Sequence, residues 1–263
     1  MSFCADCFKA VTHDGTPEGE TRRFFFLTDA CGLELVNNKL LTDDYARNGF
    51  KTIAIDLFNG DPVPVEALNP GVLSFLICVR DAPDSFFFLL QAPPFDWPNW
   101  LPRHGPAQTR PLLDVVIAAL KTEGVADIAA SGYCFGGMPC VLSWSDSNMP
   151  KIPRRLLQHA THLTWRLTVL LKLPSWHIQT YRNKATAPLL INGCTFDPVF
   201  PPEDQEKADT ILGSGNFAPG YKREYWEGCS HGFAVKGDLA DEKVKEAKEG
   251  AFKATMEWLF KYM

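Results

Sequence analysis

Val125-Ala126-Asp127-Ile128-Ala129-Ala130-Ser131-Gly132-Tyr133-Cys134-Phe135-Gly136-Gly137 is the stretch whose reading decides the fold. Its first seven residues form a short, mostly apolar run of the length a buried strand needs, and the run passes without a linker into Gly-x-Cys-x-Gly. A chain that turns sharply from strand into helix holds the residue at its apex in a strained conformation. The residues two before and two after must then be small enough for the backbone to pass. Gly132 and Gly136 meet that need, so the reading is strand, tight turn, helix, with Cys134 at the apex. A side chain there lies at a helix N-terminus, where unpaired N–H groups and the helix dipole favour a thiolate. The N–H of Phe135 would face an oxyanion formed at the attacked carbon.

Working outward, Thr109 to Gly124 reads as the preceding helix. Thr109 is the cap, Pro111 lies in the first turn, Leu112, Val115, Val116, Ala119 and Leu120 share one face, and Gly124 is the stop. Arg22–Thr28 and Lys51–Asp56 are short apolar runs suited to buried strands, with a helix between them carrying Leu41 and Tyr45 and closed by Gly49. Ala187–Asn192 and Tyr221–Glu227 read as later strands, and Glu203–Leu212 and Asp241–Tyr262 as helices, the last with Phe252, Met256 and Leu259 on one face. Strands alternating with helices predict an α/β fold, a mostly parallel sheet with helices on both faces. Residues 72–100 show no usable period, and 138–180 no convincing strand.

In such a sheet chemistry collects beyond the carboxyl ends of the strands. Cys134, Asp197 and His231 each follow a predicted strand, in the order nucleophile, acid, histidine of the α/β-hydrolase triad. His231 would hold the thiol proton and later activate water, and Asp197 would fix the imidazole tautomer. The plainer readings are an Asp197-Pro198 turn and a surface histidine in Ser230-His231-Gly232.

Composition narrows the partners. The chain has 263 residues, 46% hydrophobic, and a net charge of −5, which suits one globular domain over residues 1–263 and leaves no basic excess for nucleic acid. The apolar runs Val72–Val79 and Phe86–Leu90 fall short of the roughly 20 residues a membrane helix needs. Phe86-Phe87-Phe88 reads as core. The N-terminal residues do not read as a secretory signal, and eight scattered cysteines suggest free thiols in a reduced compartment, so a cytoplasmic location is expected. Cys4 and Cys7 with His13 make half a zinc site and no second pair follows, so no metal is expected. Cys194 and Cys229 flank Asp197 and His231 as small buried residues, and His104, His159, His162 and His177 read as solvated or locally hydrogen-bonded.

Taken together, the motifs resemble the dienelactone hydrolase family, in particular its fungal branch. The resemblance rests on Gly132–Gly137, Asn192–Pro201 and Gly228–Ala234, with Leu27–Leu33, Asp56–Asp61 and Cys4–Phe8 in support. It implies an α/β-hydrolase fold, hydrolysis of small ester or lactone substrates through a thioester acyl-enzyme, and no metal or organic cofactor. It also implies that Asp29 is the carboxylate neighbouring the thiol, where bacterial members have glutamate, and that Ala30 N–H is the second oxyanion donor. Val235 stands where bacterial members have an arginine.

The chain departs from the family pattern in three stretches. The opening hairpin is missing around residues 20–24, residues 72–94 are an insertion, and 138–168 do not resemble the helix and strand expected after the turn. The alternative is a non-catalytic or defective member, from an aberrant gene model, that keeps the motif.

Overall fold

A computed structural model of the chain describes residues 22–68, 74–77, 88–91, 95–125, 127–137, 164–167, 178–179, 182–183, 185 and 187–263. The first described strand, β1 (Arg22–Leu27), is central, with β2 (Phe50–Ile55) on one side and β5 (Asp127–Gly132) on the other, both parallel to it. Phe24, Phe25, Phe26 and Leu27 are all buried. Successive strand residues point to opposite faces, so this run requires cover on both.

Beside β5 runs β6 (Thr164–Leu167), parallel, with Asp127 opposite Thr164 and Ala130 opposite Leu167. This corrects the expectation that residues 138–180 hold no strand: the strand next to the turn is there. Four residues are too few to show a period, and pairing with β5 supplies what the local pattern lacks. The parallel pair β7 (Leu189–Phe196) and β8 (Tyr221–Ser230) follows, β7 lying beside β6. The fold is that of an α/β-hydrolase, its sheet mostly parallel. Within the 72–94 stretch, β3 (Ser74–Ile77) and β4 (Phe88–Gln91) form a separate antiparallel pair. The expected loss of the opening hairpin borders residues 1–21, which lie outside the described residues, as do Cys4, Cys7, His13, His159, His162, His177 and the side chains of Phe86–Phe88.

Helix α1 (Val36–Arg47) buries Leu41 and Tyr45 and ends just before Gly49, whose φ of +87° closes it. A second helix, α2 (Trp97–Arg103), starts where Asp96 Oδ1 accepts the Asn99 N–H at 3.1 Å. It occupies the end of the stretch read as aperiodic: seven residues make too few turns for a stripe to show, and the Asp96 cap is the readable signal.

The next helix, α3 (Pro106–Thr122), begins earlier than the Thr109 cap predicts. Gly105 is the cap, and Thr109 Oγ1 donates to its carbonyl at 3.2 Å. Its buried face also differs from the expected one. Thr109, Leu113, Ile117 and Leu120 are buried while Val115 is 70% exposed. The helix is apolar over more than one stripe, so packing rather than pattern chose the face.

Short α4 (Pro202–Leu212) and α5 (Phe233–Lys236) precede the long α6 (Glu242–Tyr262). Asp241 caps α6 by accepting the Lys243 N–H at 2.9 Å, and Ala247, Ala251, Met256 and Leu259 are buried as it packs on β6, β7 and β8. Phe252 and Tyr45 bring α6 against α1, with ring centres 5.1 Å apart.

Candidate active site

The turn after β5 is stitched to the end of β1. Tyr133 N–H donates to Leu27 O at 3.0 Å, and Gly136 N–H to Thr28 O and Tyr133 O, both at 2.9 Å. A Cβ on Gly132 would stand 2.3 Å from Gly136 O, and one on Gly136 2.3 Å from Leu27 O. No other residue fits either place. Cys134 has φ of +50°, a region that costs a non-glycine residue about 1–3 kcal/mol and persists only where the surroundings enforce it. Here Tyr133 is the anchor below: it is buried, with its hydroxyl 2.7 Å from that of Tyr45 and its ring 5.2 Å from Phe26. Cys134 itself is half-buried, with a free thiol.

At the ends of β7 and β8, His231 Nδ1 donates to Asp197 Oδ1 at 2.9 Å. The same oxygen accepts the N–H groups of Val199 (2.9 Å) and Phe200 (3.0 Å), and the carboxylate is wholly buried. His231 is fixed through its own N–H to Phe196 O at 2.8 Å. Burial works to raise the Asp197 carboxyl, but the hydrogen bond and charge of His231 and the two loop N–H groups outweigh it and hold Asp197 below its ordinary value. Burial likewise works to lower His231, yet its hydrogen bonds with Asp197 and Cys134 push the imidazole up to about 10. Cys134, Asp197 and His231 therefore meet in one place.

Asp29 is also buried and bends back on its own loop. Its Oδ1 accepts the Cys31 N–H (3.1 Å) and Asn38 Nδ2 (2.9 Å), while Oδ2 has no partner among the described residues. Desolvation raises its carboxyl, opposed by Asn38, the charge of Lys236, the Cys31 N–H and His231. Its bonds run to Asn38 and Cys31, since a side chain this short turns most easily onto its own backbone. Ala30 O is taken by Val63 N–H, whereas the N–H groups of Ala30 and Phe135 have no acceptor among the described residues.

Burial pushes the Cys31 and Cys194 thiols up to about 12, so both stay protonated at neutral pH. Phe135 packs its ring against Phe58 and Trp100, with His104 stacked 4.1 Å from Trp100 and donating from Nδ1 to the Trp100 carbonyl at 2.9 Å. Asn38, Gln205 and Lys236 are missed by reading motifs alone. The first two are polar residues on buried helix faces, at helical spacing from Leu41 and from Ala208. Among the described residues no three His, Cys, Asp or Glu side chains are grouped to hold a metal, and no helix is long and apolar enough to cross a membrane.

Comparison with known proteins gives the family of the chain. The model of the dienelactone hydrolase family matches residues 15–263. The chain belongs to the dienelactone hydrolase family. It is similar to the hydrolase pyvD of Aspergillus violaceofuscus, at 27% identity over 98% of this chain and 96% of that protein. It is also similar to dienlactone hydrolase 2 of Gibberella moniliformis, at 25% identity over 96% of this chain and 82% of that one. Among solved structures, a putative dienelactone hydrolase from Klebsiella pneumoniae superposes with a TM-score of 0.58 at 15% identity, covering 94% of this chain and 90% of the other. By family, then, the protein is a hydrolase of the ester and lactone class.

Proposed function

We propose that the protein cleaves small ester or lactone substrates with Cys134 as nucleophile, through a thioester acyl-enzyme. The observation that carries this reading is the 2.9 Å bond from His231 to the buried Asp197, on a ring whose proton affinity the strained Cys134 also raises. With its pKa near 10, His231 carries a proton at neutral pH that it can give to a leaving group.

The thiolate attacks the carbonyl carbon, forming the C–S bond while the carbonyl oxygen takes the negative charge. The N–H groups of Phe135 and Ala30, which have no acceptor among the described residues, receive that charge. As the C–O bond breaks, His231 gives its proton to the departing alkoxide. In a lactone that alkoxide stays attached to the acyl group as a hydroxyl. Now neutral, His231 takes a proton from water, which attacks the thioester, and the carboxylate product leaves as the C–S bond breaks. Asp197 holds the ring tautomer throughout. The charge of His231 acts on Asp29, and we assign that carboxylate to the neighbourhood of the site.

This reading takes residues 1–263 as one α/β-hydrolase domain with the β3–β4 pair as an insertion. It places the protein in the cytoplasm, in keeping with the free thiols Cys31, Cys134, Cys194 and Cys229. The net charge of −5 speaks against nucleic acid as a partner.

The test is turnover of p-nitrophenyl acetate and of a dienelactone by the purified protein beside Cys134→Ala and Cys134→Ser. Loss of activity in the alanine variant, with iodoacetamide labelling of Cys134 at neutral pH in the parent, supports the proposal. Unchanged turnover in Cys134→Ala overturns it.

A further inference from the structure

Asp197 sits on a connection, residues 194–200, that must hold a buried carboxylate in register with a histidine on a different strand. Beneath that connection lies Gln205, in the first turn of α4 and 1% exposed. Its Nε2 donates to Cys194 O at 2.9 Å and to Phe200 O at 3.0 Å, one bond at each end of the connection. Its Oε1 accepts Arg223 Nη1 at 3.2 Å, and Arg223 is itself anchored through Nε to both oxygens of Asp209, each at 3.0 Å. Both amide hydrogens and the amide oxygen are therefore in use. On β7, a Cβ at Gly193 would stand 2.3 Å from Gln205 Oε1, so the bare glycine is what admits the amide to this place. From Phe200 the path is short: its N–H and that of Val199 bind Asp197 Oδ1, which receives His231.

We propose that Gln205 is a positioning residue for the acid of the site, clamping both ends of the Asp197 connection and so setting the aim of Asp197 at His231. The proposal rests on the reading of Asp197 and His231 as triad partners. A buried amide with every position satisfied is a demanding choice where a hydrocarbon would fill the same space. Without its two donors the carbonyls of Cys194 and Phe200 lose their partner, and the loop N–H groups lose their fixed direction.

Two variants test this on the full chain. Gln205→Met keeps the length and loses the donors. Gly193→Ala leaves Gln205 in place but pushes its flexible end aside, a change the fold should accommodate. The charged and titratable groups facing His231 are Asp197, Cys134 and Asp29, with Lys236 acting on Asp29. Neither substitution alters any of them, so a moved His231 titration, read by NMR of the ring nitrogens, reports the alignment of Asp197. The His231 midpoint is expected to fall by about one pH unit in both variants. On p-nitrophenyl acetate kcat should drop between about 10-fold and 100-fold with KM unchanged.

If both variants keep the His231 midpoint and kcat while only the melting temperature falls, Gln205 is a packing residue and the proposal is overturned. Asp197→Asn is the reference. Should that variant leave the His231 midpoint in place, the pairing of Asp197 with His231 fails and the Gln205 proposal falls with it. If Asp197→Asn moves the midpoint and the Gln205 and Gly193 variants do not, only the Gln205 proposal is lost.

Discussion

Asp197 and Asp29 are two buried aspartates that both feel the charge of one histidine, with the same local wiring and opposite electrostatics. In each, Oδ1 takes the hydrogen bonds and Oδ2 has no partner among the described residues. In each, burial raises the carboxyl. Asp197 nevertheless ends below its ordinary value because a protonatable ring donates straight into it and two backbone N–H groups join. Asp29 ends above its own because its partners are a neutral amide and a single N–H, with Lys236 and His231 acting only from a distance. Burial works to raise both carboxyls, and at Asp197 the directly bonded ring together with two backbone N–H groups reverses it. The same residue type is thus held toward its charged form in one loop and toward its neutral form in the other.

The largest effect should come from removing the charge that wins. Asp197→Asn is expected to reduce kcat on p-nitrophenyl acetate by on the order of a thousandfold, because the ring loses both its tautomer and its counter-charge. Asp29→Asn should retain activity within about tenfold, since its hydrogen bonds run to Cys31 N–H and Asn38 and its influence on the ring is by charge alone. Equal losses in the two variants would break the comparison.

The pH dependence of stability sharpens the contrast, because the two signs differ. Asp197 is depressed from 3.8, so its contribution is present above that value and lost as pH falls through the lower folded one. His231 is raised from 6.5 to about 10, so its contribution is complete below 6.5 and lost as pH rises toward 10. The pair is one interaction seen from both ends. The melting temperature of the parent minus that of Asp197→Asn should therefore be greatest between pH 3.8 and 6.5 and shrink on either side. For Asp29, whose carboxyl is raised, the parent should instead lose stability relative to Asp29→Asn as pH rises and the buried carboxyl ionises. Differential scanning fluorimetry from about pH 2 to about pH 10 measures both, and an Asp197 difference without a maximum between pH 3.8 and 6.5, or an Asp29 difference that grows in the parent's favour as pH rises, would contradict the assignment.

How much of this is legible in the sequence depends on how local the cause is. Strand ends followed by Gly-x-Cys-x-Gly, Asp-Pro and Ser-His-Gly can be read because glycine and turn chemistry act within a few residues, and the parallel core follows from runs such as Phe24–Leu27. What escapes is decided at a distance. Thr164–Leu167 becomes a strand because β5 offers it an edge, and α3 turns Leu113 and Ile117 inward rather than Val115 because of what lies beneath it. Asn38 and Gln205 escape for another reason. A polar residue at helical spacing from Leu41 or Ala208 reads as an interruption of the buried stripe, whereas here each is the stripe's means of holding a loop that carries an aspartate. Motif order names Asp197 as the partner of His231, but the opposite shifts of the two carboxyls are not legible, since they depend on hydrogen-bond partners and burial that the fold supplies.

The two neighbours of Asp29 offer the finer tests. Asn38→Ala removes the amide that binds Asp29 Oδ1 and Gly32 O, both buried. At neutral pH this should cost about 1–3 kcal/mol by chemical denaturation, because an ionised carboxylate loses its donor. Below the raised pKa of Asp29 the cost should be smaller, the protonated acid having less charge to stabilise. A cost that does not vary with pH would mean that Asn38 serves Gly32 rather than Asp29.

Lys236 should matter least. Its chain lies across Gly232, where a Cβ would come within 2.8 Å of its Cε, and it opposes the burial of Asp29 and Cys31 by charge alone, without a hydrogen bond to either among the described residues. Lys236→Met keeps that packing and removes the charge. Stability should change by no more than about 0.5 kcal/mol. The Asp29 titration, followed by carboxyl NMR, should move further upward because one of the positive charges that lowers it is gone. A downward movement would show that Lys236 is not the cation holding Asp29 toward its charged form, and the contrast between the two aspartates would then rest on hydrogen bonding alone.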